Sequence, residues 1–237
     1  MSTLYDADQI ERLFDEMAGT YEMVNYISSF GFSLRWRRQF ITHLSLTPGM
    51  TVCDLMCGMG ECWDVLLPQL DATSRLIGID LSNGMLKGAH KKRTRFAERN
   101  IQISKQNALV NTLDSNSIDA VICGFGIKTL DATQMWLFAQ EVRRVLKPGG
   151  TFSLIEISVP TDWFLKGLYR FYVSRVIPVV GQLLLGNPDN YRMLGQYMER
   201  FGNCKAMALA LHEIGLNATY HEYFYGCATG VSGSKPI

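Results

Sequence analysis

Asp54, Gly58, Met59, Gly60 and, twenty residues after that last glycine, Asp80 have the types and spacing of a nucleoside site. The apolar run Thr51-Val52-Cys53-Asp54-Leu55 breaks into Gly58-x-Gly60, as a buried strand does where it turns into a helix and leaves its backbone open to a ligand. Asp80 ends a second apolar run, Arg75-Leu76-Ile77-Gly78-Ile79, where a carboxylate can accept ribose hydroxyls. A dinucleotide turn usually has a third glycine three residues on. Trp63 stands there instead, and an indole opposes close packing of helix on strand. No Lys-Ser/Thr follows to make a phosphate loop. The turn therefore suits an adenosine cofactor without phosphates, and Asp54 offers an acid to a cationic group. S-adenosylmethionine has an adenosine, a sulfonium and an ammonium. The plainer alternative is a tight turn with no ligand.

The elements that must hold these residues alternate in type. Helical patterns cover Gln9–Met17 and Arg35–Leu44, joined by an aromatic-rich segment from Tyr21 to Trp36. Strand and helix then alternate: Thr51–Leu55 and Cys62–Gln69, Arg75–Ile79 and Met85–Ala97, Gln102–Gln106, Ala120–Cys123 and Gln134–Val145, and Phe152–Ile157. Such alternation predicts a parallel sheet covered on both faces, with ligands at the carboxyl ends of its strands. Lys147-Pro148-Gly149-Gly150 stops the helix before the last of these strands. Pro160 to about Leu211 reads as helical and aromatic, a lid inserted before strand-like Ala218–Tyr225; Gly226 to Ile237 reads as a polar, partly disordered tail.

With 237 residues and 47% apolar content, one well-filled domain is expected. Its parts are an N-terminal helical cover (1–48), a cofactor-binding core (49–158), a helical lid (159–211) and final strands with the tail (212–237). A formal net charge of +1 argues against a nucleic-acid surface. The basic run Lys91-Lys92-Arg93-Thr94-Arg95 reads as a solvated helix face, and His43, His90 and His212 as surface histidines. Six cysteines without metal-type pairing read as buried, reduced thiols, which points to a cytoplasmic location and no metal site. No apolar run reaches the ~18–20 residues of a membrane span, so the protein is expected to be soluble. The apolar stretch Val173–Leu185 could line a substrate pocket, touch a membrane surface peripherally or form a homodimer contact.

Across nearly its whole length the chain resembles the ubiquinone/menaquinone biosynthesis C-methyltransferases, within the class I S-adenosylmethionine-dependent methyltransferases. The matching segments are Leu13-Phe14-Asp15-Glu16-Met17-Ala18-Gly19-Thr20-Tyr21, Leu34-Arg35-Trp36-Arg37, Asp54 to Gly60, Asp80-Leu81-Ser82-Asn83-Gly84-Met85-Leu86, Gln106-Asn107-Ala108, Phe125-Gly126-Ile127, Val145 to Gly150, Glu156 to Pro160 and Asn190-Tyr191-Arg192-Met193-Leu194. The resemblance implies a Rossmann-like, mostly parallel seven-stranded α/β sheet flanked by helices. It implies that Asp54, Gly58, Met59 and Gly60 hold the methionine moiety and Asp80 the ribose, with Leu81 and Met85 beside it. Asn107 and Ala108 would meet the adenine, Gly124 would lie under the cofactor, and Tyr21 would close over the sulfonium, for which an aromatic face is suited.

Two departures bear on the acceptor. Where that family has Phe-Gly-Leu-Arg-Asn, this chain has Phe125-Gly126-Ile127-Lys128-Thr129, exchanging a planar guanidinium fork for a point charge. The segment Gly226-Cys227-Ala228-Thr229-Gly230-Val231 also lacks the family's histidine. The expected reaction is methyl transfer to a small apolar or aromatic acceptor, such as a carbon ortho to a phenolic oxygen. Lys128 would stabilise the oxyanion, and Tyr191 and Arg192 would orient the acceptor or move protons, with Glu156 a further candidate. Tyr191 and Arg192 have a plainer reading as residues that pin the lid helix. Competing functions are O- or N-methylation of a specialised metabolite, or a non-catalytic partner that binds the cofactor.

Overall fold

The computed structural model describes residues 4–183 and 187–237. Seven strands form one sheet: β1 (Thr51–Leu55), β2 (Arg75–Asp80), β3 (Asn100–Lys105), β4 (Ile118–Gly124), β5 (Leu146–Ile157), β6 (Asn217–Tyr223) and β7 (Ala228–Ser234). Their order is β3-β2-β1-β4-β5-β7-β6, with β1 to β5 parallel and β7 antiparallel to both neighbours. The chain runs outward from β1 through β2 to β3, then returns to place β4 on the other side of β1. The order therefore reverses between β1 and β4, and the crevice at their carboxyl ends is where an open α/β sheet binds its ligand.

Burial on both faces explains why the central strands are continuous apolar runs rather than alternating ones. One face is covered by α6 (Ala132–Val145) and α10 (Lys205–Glu213), whose Phe138, Val142, Met207 and Leu211 pack on Val121 and Phe152. Asp131 and Gln134 form a reciprocal capping box that fixes where α6 starts. The other face is covered by α3 (Phe32–Ile41), α4 (Trp63–Leu66) and α5 (Asn83–Arg93), through Phe40, Trp63 and Leu86. The segment between the expected N-terminal helices is itself helical: α1 (Ala7–Met17) is followed by α2 (Tyr21–Ser28). Leu13, Met17, Tyr21 and Val24 bury themselves against Tyr191 and Tyr197, which joins α1 and α2 to the helix at Pro188–Phe201.

The segment expected to form a lid comprises α7 (Lys166–Phe171), a π-helical turn at Tyr172–Val176, α8 (Ile177–Leu183) and α9 (Pro188–Phe201). Leu184 and Leu185, within the apolar stretch singled out above, lie outside the described residues. α10, expected as the end of the lid, instead packs on the sheet beside α6 and β6.

Three further expectations are corrected. The polar tail is β7, a buried strand between β5 and β6. Trp63 does not hold helix and strand apart, because α4 is a single turn and the indole fills the space that Gly60 and Gly78 leave open, where a Cβ would come within 2.6 and 2.8 Å of the ring. Lys92 is not solvated: it is buried and paired with Glu22 at 3.2 Å and Asp64 at 3.1 Å.

Candidate active site

The turn after β1 is built around Asp80. Its carboxylate accepts the Gly58 N–H at 2.8 Å and the Ser82 N–H at 2.9 Å, so the acid ending β2 holds both the glycine turn and the start of α5. Gly58 and Gly60 have φ of 56° and 79°, left-handed conformations that a side chain would strain. Two bulky residues take the same conformation at the strand ends facing the crevice, Met56 after β1 (φ 57°) and Phe125 after β4 (φ 67°). Strain of this kind persists where surrounding structure holds a site in place.

A cavity opens at these strand ends. Of the eleven residues expected to bind cofactor, Tyr21, Gly58, Asp80, Leu81, Met85, Asn107, Ala108 and Gly124 line it. Asp54, Met59 and Gly60 do not. Met59 turns away to pack over Gly88, and Gly60 lies over Trp63. Asp54 is buried, with Oδ2 accepting the Trp63 Nε1–H at 3.0 Å. Asn107 Oδ1 accepts the Leu109 N–H at 2.9 Å, so this carbonyl is committed to a local turn. The sequence reading missed Phe14, Arg37 and Glu61, which also line the cavity. Phe14, Asp15 and Arg37 lie inside segments that carried the family resemblance, so a signal was present. Asp15 Oδ1 ties α1 across the site by accepting the Ser82 hydroxyl at 2.6 Å and the Gly84 N–H at 2.7 Å.

A second cavity adjoins the first, and Tyr21, Arg37 and Phe125 line both. Its remaining wall is mainly apolar and aromatic, including Phe32, Trp36, Tyr169, Tyr172, Val173 and Tyr191. Lys128 brings a cation into that wall: it is buried, 3.2 Å from Glu156 Oε1, and also donates to the Phe125 carbonyl. Burial alone would lower the lysine pKa, but Glu156 and Tyr21 outweigh it, and the net direction is upward, so the ammonium stays charged. The Tyr21 phenol is pushed up by burial, against the pull of Lys128. Tyr191 is buried, its hydroxyl 2.9 Å from that of Thr20. Arg192 lines neither cavity. Its exposed side chain pairs with Asp189 one turn earlier on α9.

The cofactor can be tested against atoms the fold leaves unsatisfied. Asp54 Oδ1 and Glu61 Oε1 are buried without a hydrogen-bond partner at the same turn. Burial pushes the Asp54 carboxyl well above its usual range, and Glu61 and Asp80 add to that rise. Orphaned buried acceptors beside a glycine turn fit an ammonium donor, and Asp80 at the end of β2 fits ribose hydroxyls. Together with a strand order that reverses between β1 and β4, they define the class: a Rossmann-like S-adenosylmethionine-dependent methyltransferase.

Within that class, the chain belongs to the ubiE/COQ5 methyltransferase family, which matches residues 2–235. It is 31% identical to the demethylmenaquinone methyltransferase of Lactiplantibacillus plantarum over 95% of both chains. It is 27% identical to that of Lysinibacillus sphaericus over 98% of this chain and 97% of the other. Among solved structures, the fold is similar to Haemonchus contortus phosphoethanolamine N-methyltransferase 2 (TM-score 0.67, 13% identity, 100% of this chain and 61% of the other). It is also similar to a possible histamine N-methyltransferase from Thermotoga maritima (TM-score 0.64, 17% identity, 95% and 99%). At these identities the structures attest the fold alone.

Proposed function

We propose that the protein methylates a ring carbon of a quinol of the demethylmenaquinol type. The observation that carries this reading is the pair of adjoining cavities, polar and apolar, sharing Tyr21, Arg37 and Phe125, with one buried cation in the apolar wall. The names borne by the curated relatives supply the acceptor class.

S-adenosylmethionine, when bound, supplies an electrophilic methyl on a sulfonium. The residues of this chain do the rest. Glu61 takes the ammonium with the buried Asp54 carboxyl behind it, Asp80 takes the ribose, and Asn107 and Ala108 border the adenine. Tyr21 presents a ring to the sulfonium side and to the acceptor side at once. Lys128 holds the acceptor's phenolic oxygen as an anion, which raises electron density on the adjacent carbon. The methyl that the cofactor supplies would replace the hydrogen on that carbon, and restoring the aromatic ring would release that hydrogen as a proton to solvent. The aromatic wall excludes water and aligns the ring, and alignment of this kind contributes ~7–11 kcal/mol in well-oriented systems.

Incubation with methyl-labelled S-adenosylmethionine and a panel of demethylquinols, phenols and amines tests the reading. Label on a quinol carbon, stable to acid and base, supports it; label only on oxygen or nitrogen overturns it. That second result would favour specialised O- or N-methylation, for which the replacement of Arg-Asn by Lys128-Thr129 is the motivating feature. We also assign peripheral membrane contact or homodimerisation to the Val173–Leu185 stretch, in which Val173 and Ile177 line the apolar cavity and Val179 and Leu183 are exposed. Co-flotation with vesicles tests peripheral membrane contact, and light scattering tests a homodimer through the same face.

A further inference from the structure

Arg37 Nε is a third buried polar atom without a hydrogen-bond partner at this site. Arg37 lies on α3 and lines both cavities, its guanidinium carbon 5.1 Å from the centre of the Phe125 ring. Its charge reaches the Cys62 thiol and the Asp54 carboxyl. Among the described residues it forms no ion pair, unlike Lys128, which has Glu156, and Lys92, which has Glu22 and Asp64. An unpaired guanidinium facing a cavity is a costly arrangement unless an anion completes it.

Two anions can arrive: the carboxylate on the methionine end of the cofactor, or an oxyanion of the acceptor. Position separates them. Asp54 and Cys62, the two groups that feel Arg37, flank the turn after β1, which faces the methionine end. Lys128 already supplies the acceptor cavity with a cation. We propose that Arg37 binds the α-carboxylate of S-adenosylmethionine, its planar fork meeting the two carboxylate oxygens while Glu61, on the wall of the same cavity, takes the ammonium. The amino-acid end is then read by groups of both signs, and the guanidinium is neutralised before the cationic methyl donor faces the acceptor. This assignment rests on the cofactor reading and deepens it.

The experiment is calorimetric titration of the wild type and Arg37→Met with two probes: S-adenosylhomocysteine and S-adenosyl-3-thiopropylamine, which keeps the ammonium and lacks the carboxylate. The wild type should prefer S-adenosylhomocysteine by about 10- to 100-fold, the range of a charge-assisted hydrogen bond. Arg37→Met should lose that preference and bind the thiopropylamine as the wild type does. Arg37→Lys, which keeps the charge and the stem, should fall between and serves as the readout if Arg37→Met does not fold. Unchanged affinity of either variant for S-adenosylhomocysteine overturns the proposal; if acceptor KM rises at the same time, Arg37 belongs to the acceptor. A wild type that binds neither probe overturns the cofactor reading itself.

Discussion

Lys128 Nζ lies 3.2 Å from Glu156 Oε1, and both side chains are almost wholly buried. Glu156 does more than balance the lysine: Oε2 accepts the Lys128 N–H at 3.0 Å and Oε1 the Ile157 N–H at 2.8 Å, so one carboxylate fixes the ends of β4 and β5. Lys128→Met leaves that carboxylate uncompensated, and the expected cost is about 3–5 kcal/mol of folding stability. Lys128→Arg keeps the charge and should leave most of the stability intact while changing acceptor kinetics. Urea denaturation of the two variants, followed by kcat and KM for the acceptor, measures both effects.

Tyr191 and Arg192 are adjacent in sequence and differ in surroundings. Arg192→Ala removes an exposed side chain paired one turn back, and is expected to change stability by less than about 0.5 kcal/mol and activity not measurably. Tyr191→Phe removes the hydroxyl contact to Thr20, at about 1 kcal/mol. A loss of kcat beyond tenfold in Tyr191→Phe, with an unchanged cofactor Kd, would mark its hydroxyl as a proton or orientation partner rather than a pin for the lid.

Gly60→Ala forces a Cβ to 2.6 Å from the Trp63 ring at a φ of 79°. The indole is fully buried and cannot yield cheaply. We expect about 1–3 kcal/mol of destabilisation from the backbone strain alone. Calorimetry should show a lowered Tm together with weakened S-adenosylhomocysteine binding, because Trp63 also holds Asp54.

Burial raises the Asp80 carboxyl to about 6, against the backbone N–H groups of Ser82, Gly58 and Leu81 that favour its charge. Ribose hydroxyls donate to the ionised form. Affinity for S-adenosylhomocysteine should therefore be flat above pH 6 and fall below it, by up to about tenfold per pH unit. The effect on the unliganded protein has the opposite sense. With its folded pKa above the unfolded one, Asp80 lets the folded state hold a proton more tightly between the two, so its contribution to stability falls as pH rises through that window. Titrations and thermal melts from pH 5 to 8, with and without ligand, test the two signs together.

The cofactor half was legible in the sequence because its devices are local. A glycine turn, an acid at a strand end and a helix stop before β5 each act over a few residues, and the strands they punctuate are apolar throughout. Strand β7 was not legible. Ala228-Thr229-Gly230-Val231-Ser232-Gly233-Ser234 has the composition of a tail, and it is buried because its neighbours supply the bulk: Tyr223 and Phe152 reach over Gly230 and Gly233, where a Cβ would meet them at 3.2 and 2.9 Å. Arg37 and Glu61 escaped notice for a related reason. Their importance lies in which partner they lack, and that is visible only once the chain is folded. Arg192 pairs with Asp189 one turn back on its own helix; the sequence offered it both as an orientation or proton partner and as a residue that pins the lid helix.

Strand β6 is hydrogen-bonded to β7 alone, while β7 is held by β5 on its other side. Strands β1 to β5 already form a continuous parallel platform, so synthesis can yield the switch point and its crevice well before β6 has anywhere to dock. Residues 217–223 must wait for residues 228–234 to emerge and thread between them and the finished platform. During that interval Phe152 and Leu154 present an open edge. Until the late strand covers it, this edge is open to capture by a chaperone, or by another copy of the chain.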